Sequence, residues 1–383
     1  MPDAKKPAAA VPKAFTVLKT ERQMSMLRFS LCGKQLFAAG RDALIHRWDI
    51  SPWDKPVEAA DDPLASVDNK TKKPVKAPPP PEMPELAPIK GHNGWVTGLV
   101  FHQDKKRLFS CDSWGLVCCW QYADENPQPL FMIADAHDGF IRQMALSPDG
   151  KSLATCGVDQ KVCLWSTVDG KKLGEFVGHN EEVFAVAFHP DGKSLVSGDL
   201  MGVVKQWDLA TGKATREFDA KAMHKLDRMQ DTGGVRVLLF DKEGKTLACA
   251  GSKPDGGGFV QGTPLLIFFD WEKGTPGTSP KLGDNKDVFV HDLIYHRDGN
   301  VLGVTSGQPG NGQMFVLKPG EAQPSFTQRM ANCHSVDIHP SGYKFAFLSN
   351  AGTFGQGPSM AKEGKYFGNT SPVNLWELPL PLV

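Results

Sequence analysis

VFAVAFHPDGKSLVSGDLMGVVKQWD (183–208) decides the fold, because the same pattern stands 42 residues earlier, without a gap, as IRQMALSPDGKSLATCGVDQKVCLWS (141–166). Five further copies, the last three weaker, begin at Met24, Val96, Val235, His291 and His334. Seven copies of so short a unit indicate a repeat architecture, in which neighbouring units bury one another.

Each copy predicts three short strands. An apolar run leads into a turn such as SPDG or HPDG, a second run follows, and a third closes on Trp. Asp, Pro and Gly favour tight turns, and runs such as VFAVAF are rich in β-branched and aromatic residues and too short for helices. In the weaker copies we expect the third strands at 264–271, 313–319 and 372–378. Many runs are apolar on both alternating faces, which predicts small sheets stacked face to face around an axis.

Gly-His or Ala-His pairs open several copies, and Trp-Asp or related pairs close them. The opening pairs are Gly91-His92, Ala136-His137 and Gly178-His179, and the closing pairs are Trp48-Asp49, Trp120-Gln121, Trp165-Ser166, Trp207-Asp208 and Trp376-Glu377. In these features the chain resembles the WD40 repeat family over about residues 15–378. The resemblance implies an all-β fold, a seven-bladed β-propeller of four-stranded antiparallel blades. FTVLKT (15–20) would pair in the last blade and close the ring, which removes unpaired strand edges. A six-bladed ring is the alternative if copies five and six are misread.

The composition excludes several classes of function. Lys plus Arg and Asp plus Glu balance at 43 each, which argues against a nucleic-acid binder driven by phosphate neutralisation and against a polybasic membrane anchor. No apolar run of about 18 residues occurs, so no transmembrane helix is expected. The chain has eight cysteines but no CxxC motif, and most of the cysteines lie in strand-like runs. We expect them to be reduced and buried, which favours a cytoplasmic location.

The domain organisation expected is a disordered tail over 1–14 and a single propeller over 15–383. A Pro-rich insertion at 51–88 is polar and charged, which predicts disorder, with a polyproline II segment at 77–81. The insertion is either a tolerated surface loop or a short motif for a proline-binding partner.

His137, Thr155, Asp159 and Trp165 could be read as a hydrolase site, with Thr155 as nucleophile and His137 as base. A threonine inside a strand is a poor exposed nucleophile. The family resemblance implies instead a buried hydrogen-bond network that satisfies its own members, and we favour this structural role.

The same network looks incomplete in other copies. At the position equivalent to Asp159, where the resemblance implies the Asp of the network, copies two and four have Trp114 and Met201. Asp112 and Asp199 stand two residues earlier. These carboxylates could cap the turn or replace the missing Asp. Copies five to seven show no recognisable network.

Partner contacts in the resembled family favour the top face, where the d–a and b–c connections lie. From the aligned positions we select those with an aromatic, Arg or His side chain, namely Arg41, Trp95, Phe140, Arg142, Phe184, Arg236, Phe289, His291 and His334. Aromatic residues and Arg are frequent interface anchors. The alternative is that some of these aromatics pack against neighbouring blades. Insertions at 220–234, 252–263, 306–313 and 349–370 lengthen top connections of copies five to seven, which we take as a docking sector.

Two functions are compatible with these sequence features. The favoured one is a non-catalytic scaffold for protein–protein interaction, monomeric by itself, with a protein or peptide partner and no cofactor or metal. The alternative is a propeller-type hydrolase or lactonase with a metal in the central mouth, for which His291, Asp292 and His334 are the candidate ligands. Adjacent strand residues point to opposite faces, so His291 and Asp292 should diverge and leave too few ligands.

Overall fold

The repeats form seven antiparallel sheets, or blades, which follow one another along the chain. The structure is a computed structural model and describes residues 11–378 except 55–78, 105, 228, 256–260, 309, 351–358, 361–365 and 368–369. Within a blade we call the strands a to d from the centre of the ring outward. The face that carries the d–a and b–c connections is the top face, and the opposite face is the bottom face.

The first four complete blades are regular. Strand β1 (Lys13–Leu18) belongs to the last blade. Blade one has β2 (Met24–Phe29), β3 (Gln35–Gly40), β4 (Leu44–Asp49) and β5 (Glu85–Lys90). Blade two has β6 (Val96–Phe101), β7 (Arg107–Asp112), β8 (Val117–Gln121) and β9 (Pro129–Ile133). Blade three has β10 (Ile141–Leu146), β11 (Ser152–Gly157), β12 (Lys161–Ser166) and β13 (Lys172–Val177). Blade four has β14 (Val183–Phe188), β15 (Ser194–Asp199), β16 (Val203–Asp208) and β17 (Ala214–Asp219).

Of the remaining three blades, blades five and seven carry additional hairpins on their top connections. A hairpin of β18 (His224–Asp227) and β19 (Gln230–Gly233) precedes blade five, which has β20 (Val235–Phe240), β21 (Thr246–Pro254) and β22 (Gly262–Asp270). Blade six has β23 (Phe289–Tyr295), β24 (Val301–Ser306), β25 (Gly312–Leu317) and β26 (Phe326–Arg329). Blade seven has β27 (Ser335–Ile338), β28 (Lys344–Leu348), β31 (Val373–Glu377) and β1, with the short hairpin β29 (Ser359–Met360) and β30 (Tyr366–Phe367) on its b–c connection.

The ring closes as the sequence predicts. β1 pairs antiparallel with β31, with Leu18 opposite Val373 and Lys13 opposite Glu377. The innermost strands of successive blades contact one another, and β27 of blade seven contacts β2 of blade one. The all-β, seven-bladed prediction is therefore confirmed, and the six-bladed alternative is wrong.

Blade five departs from the four-stranded pattern. Its sheet contains β20, β21 and β22, and an isolated bridge between Phe269 and Pro276 stands where an outer strand would pair. Proline has no N–H to donate to a ladder, so Pro276 limits pairing along this edge.

Apolar cores fill the spaces between neighbouring blades. Between blades four and five, Val196 and Phe218 pack with Leu247 and Phe269, all essentially inaccessible to solvent. Fully burying a side chain such as Phe is worth about 1.5–3 kcal/mol. Each sheet is therefore covered on both faces, as the apolar runs predict.

Histidines on the bottom face connect neighbouring blades. In four a–b turns the His Nε2 lies 2.8–2.9 Å from the carbonyl oxygen of the turn glycine in the next blade. The pairs are His102–Gly150, His189–Gly244, His296–Gly342 and His339–Gly33. Blades six, seven and one are joined in this way across the ring closure.

The predicted disordered segments have structured ends, so their boundaries are too wide. Ser51–Asp54 forms a 3₁₀ turn whose Trp53 is buried and stacks on Phe15 at 5.2 Å between ring centroids. Glu85–Lys90 is strand β5, and β1 begins at Lys13. The rest of the predicted tail, residues 1–10, and most of the insertion, residues 55–78, lie outside the described residues. None of the helical segments that the structure describes has the length and apolarity to cross a membrane.

Candidate functional site on the top face of the ring

A β-bulge interrupts the innermost strand of blades one to six near its start. The bulged residues are Ser25, Thr97, Arg142, Phe184, Arg236 and His291. A bulge leaves one residue out of the ladder and redirects its side chain. All six, together with His334 just before β27, line a cavity of about 380 Å³ at the top of the ring.

The opening of this cavity is called the mouth below. The nine predicted docking residues form one continuous arc around the mouth, and we call these nine residues the aromatic arc. Its order is Arg41, Trp95, Phe140, Arg142, Phe184, Arg236, Phe289, His291 and His334. Each guanidinium lies over a ring. The Cζ atom of Arg236, for example, lies 4.0 Å from the centroid of Phe184 and 5.3 Å from that of Phe289. The structure thus places all nine residues of the predicted set next to one another.

The members of the aromatic arc differ in exposure. Trp95 is 45% exposed and Arg41 is exposed beside it, with its Cζ 4.5 Å from the Trp95 ring centroid. Phe184 is only 8% exposed, because Arg142 and Arg236 cover it. The alternative interpretation, that some aromatics pack within the protein, therefore describes Phe184.

Trp114 is a top-face residue that the sequence pattern did not assign to docking. It is 68% exposed and lies in the b–c turn of blade two, against Gly94. Ser113 ties this turn to the strand start, because its Oγ accepts a hydrogen bond from the Trp95 N–H at 3.0 Å. The signal in the sequence was a bulky aromatic residue at a position where the family resemblance implies Asp.

The mouth carries an excess of positive charge. The Arg142 Nη2 pairs with a Glu182 carboxylate oxygen at 2.5 Å. Arg236 donates to the carbonyl of Gly233 at 3.1 Å, while its buried Nε, like that of Arg142, has no hydrogen-bond partner among the described residues. Burial, and then repulsion from Arg142, lower the pKa of Arg236 to about 10, so it stays charged at neutral pH.

The two histidines of the mouth are neutral at pH 7. Their ring centroids are 5.1 Å apart in an edge-on arrangement. Burial lowers the pKa of His291 well below its ordinary value and that of His334 to about 4. Arg41 lowers the pKa of His334 further by charge repulsion.

Asp292 belongs to a separate polar cluster on the inner wall of the ring. Its Oδ2 accepts hydrogen bonds from Arg28 Nη1 at 3.1 Å and from Ser335 Oγ at 2.9 Å. Strict alternation does not govern His291 and Asp292, because His291 is the bulged residue. Within the described ranges, no group of three or more His, Cys, Asp or Glu side chains could hold a metal ion.

The four residues predicted as a structural network form a hydrogen-bonded chain in blade three. Trp165 Nε1 donates to Thr155 Oγ1 at 2.8 Å, and Thr155 Oγ1 lies 2.8 Å from His137 Nε2. His137 Nδ1 lies 2.8 Å from Asp159 Oδ1. Every group is satisfied when the histidine proton is on Nδ1. Burial raises the pKa of Asp159, but the hydrogen bond from His137 and those from the Asp138 and Lys161 backbone N–H groups outweigh this and lower it overall.

Blades two and four contain equivalent complete networks. In blade two, His92 Nδ1 lies 2.9 Å from Asp112 Oδ2, and Ser110 takes the place of the threonine. Asp112 Oδ1 also accepts from the Trp114 N–H at 2.8 Å. The early Asp therefore both caps the turn and replaces the missing carboxylate. Blade four repeats this arrangement with His179, Ser197, Asp199 and Trp207.

The fold and the networks together define the class of protein: a seven-bladed β-propeller with hydrogen-bonded His–Ser/Thr–Trp–Asp tetrads in three consecutive blades. The family model described as WD domain, G-beta repeat (WD40) matches residues 84–121, 128–166 and 170–208. These matches cover β5 of blade one and strands of blades two to four, where the tetrads are complete, so the chain is a propeller that contains WD40 repeats. No curated protein matches the chain.

Proposed function

We propose that the chain is a non-catalytic scaffold that binds a partner protein through the top face of its propeller. The observation that carries the proposal is the exposure of Trp95 and Trp114 on adjoining top-face loops, beside Arg41. Large exposed aromatics on a rigid framework, next to Arg, are typical interface anchors.

The buried tetrads support the non-catalytic part of the proposal. The Thr155 hydroxyl is fully buried and engaged by both Trp165 and His137, so it is not presented to a substrate. The proposal includes a cytoplasmic, monomeric protein without a cofactor. The free thiols, seven of them buried, suit a reducing compartment.

Partner capture tests the proposal. The purified chain would be used as bait in native lysate, with crosslinking and mass spectrometry to identify captured proteins. Trp95→Ala with Trp114→Ala should reduce capture at least about tenfold, since hot-spot residues contribute about 2 kcal/mol or more each. Tyr343→Ala is the matched control, because Tyr343 is a 37% exposed aromatic on the bottom face. Equal capture by both variants would refute top-face binding.

We also propose that the lengthened connections of blades five to seven extend the docking surface. The hairpin β18–β19 and the long β21–β22 pair both project from top connections. Removing residues 349–370 should leave the thermal unfolding of the ring nearly unchanged and weaken capture. Capture at the level of the full chain would restrict docking to the aromatic arc and Trp114.

A further inference from the structure

Building on the proposed function, we infer that the aromatic arc takes an acidic segment of the partner, with Asp or Glu carboxylates entering the mouth between Arg41, Arg142 and Arg236. The segment would be a peptide stretch, and the guanidinium groups would be its ligands. The charges, the stacking and the size of the mouth each support this assignment.

The charges of the mouth are unbalanced. Four guanidinium groups, those of Arg28, Arg41, Arg142 and Arg236, line it together with the Asp292 carboxylate, and Glu182 pairs with only Arg142. No carboxylate of the described residues lies within ion-pair distance of Arg41 or Arg236. The nearby Asp292 is held by Arg28 and Ser335. Buried N–H groups without acceptors are costly, and two such groups, the Nε atoms of Arg142 and Arg236, lie here. An anionic ligand would supply the missing acceptors.

The stacking excludes a cationic ligand at this surface. The chain's own guanidiniums already cover the aromatic faces: Arg142 lies 4.6 Å from Phe140 and 4.8 Å from Phe184, and Arg41 lies over Trp95. A lysine or arginine of a partner would have to displace them and would meet like charge. Stacking also fixes the plane of each guanidinium and leaves its N–H edges to bind a carboxylate. The paired N–H donors of a guanidinium match the two oxygens of a carboxylate.

The dimensions of the mouth suit a peptide side chain. A cavity of about 380 Å³ is near the lower end of ordinary ligand pockets. Exposed Trp95 and Trp114 lie beside it and offer apolar contact to residues that flank a carboxylate. The chain as a whole has zero net charge, so it has no general attraction for a polyanion in addition to the local excess of positive charge at the mouth.

Fluorescence anisotropy with a labelled peptide of consecutive glutamates as the probe tests the inference. The full chain should bind this probe, and an unlabelled lysine peptide should not compete. Arg236→Met and, separately, Arg41→Met should weaken binding roughly tenfold or more, the usual effect of losing a hydrogen bond to a charged group. Raising salt from about 0.05 to about 0.5 M should also weaken binding, because it shortens the screening length.

Arg216→Met is the matched control. Arg216 stacks on Phe218 at 4.5 Å and Trp271 at 4.7 Å, but it lies on outer strand β17, away from the mouth. Its substitution should leave probe binding unchanged. Thermal unfolding would be recorded for each variant, and Arg41→Met carries the test should Arg236→Met fail to fold, because Arg41 is exposed.

The outcomes separate this inference from the proposed function. Three outcomes would overturn the acidic-segment assignment. The chain does not bind the probe, Arg216→Met loses as much probe binding as the Arg41 and Arg236 variants, or a single-stranded oligonucleotide binds more tightly than the glutamate peptide. Capture from lysate that depends on Trp95 and Trp114 but not on Arg41 or Arg236 would refute the inference and leave the scaffold function intact. Capture that depends on none of these residues would refute both.

Discussion

Replacing Thr155 by valine removes one hydroxyl from the tetrad of blade three and keeps the shape of the side chain. The hydroxyl accepts from Trp165 Nε1 at 2.8 Å and donates to His137 Nε2 at 2.8 Å, and all three side chains are buried. Valine leaves the Trp165 N–H and the His137 nitrogen without a partner. Each unsatisfied buried group costs about 1–3 kcal/mol, and burial of the extra methyl returns about 1 kcal/mol. We expect the free energy of unfolding to fall by about 1–5 kcal/mol.

Urea unfolding followed by tryptophan fluorescence measures this loss as a lower midpoint at unchanged slope. Thr155→Ser is the matched control, because serine stands at the equivalent positions 110 and 197 in blades two and four. It keeps the hydroxyl and loses a methyl group, which costs about 1 kcal/mol. The usual scatter of surface substitutions is about 0.5 kcal/mol. If the free energies of unfolding of the two variants agree within that amount, the hydroxyl is not what stabilises the blade.

Three further predictions concern turns, pH and thiols. Gly244→Ala should lower the melting temperature more than Gly192→Ala: both turn glycines have φ near +70°, but a Cβ at Gly244 would lie 2.5 Å from His189 Nε2, whereas nothing lies within 4 Å at Gly192. The same cost for both would refute the interblade contact. Burial raises the pKa of Asp337 to about 6, so its favourable contribution, full below about pH 4, should be lost as the pH rises through 6. The melting temperature of Asp337→Asn relative to the natural chain should therefore increase between pH 4 and 6, and a constant difference would contradict this. Ellman's reagent should modify about one thiol, Cys32, in the folded chain and all eight after unfolding, and fast reaction of several thiols would show that the strands open.

The strands were predictable from the sequence because local chemistry dictates them, whereas the ring closure by the N-terminal strand was implied by the resemblance to the WD40 repeat family. Tight turns need Asp and Gly, and an apolar run covered on both faces needs a neighbouring sheet, so the copies themselves predict stacked small sheets. The missing outer strand of blade five was not anticipated. It depends on how a segment around Pro276 meets an existing edge, which a repeat pattern does not encode.

The networks of blades two and four show a different limit. The sequence left open whether Asp112 caps a turn or replaces a missing carboxylate, because one residue type serves either purpose. A carboxylate has two oxygens, and the structure uses Oδ2 for His92 and Oδ1 for the turn N–H groups of Trp114 and Leu116. Only the three-dimensional approach of strand and turn decides that both roles can be met at once.

The bulges explain why the six bulged residues that line the mouth show no common residue type in the sequence. In blades one to six the residue before each bulged position is apolar and essentially inaccessible. These residues are Met24, Val96, Ile141, Val183, Val235 and Val290. The bulged residues themselves are Ser, Thr, Arg, Phe, Arg and His, which share no chemistry. A residue that leaves the ladder contributes little to the pairing of its strand, whereas its neighbour anchors the blade. Adjacent positions thus serve separate purposes, so the residues that face the mouth can vary in chemistry while the ring is preserved.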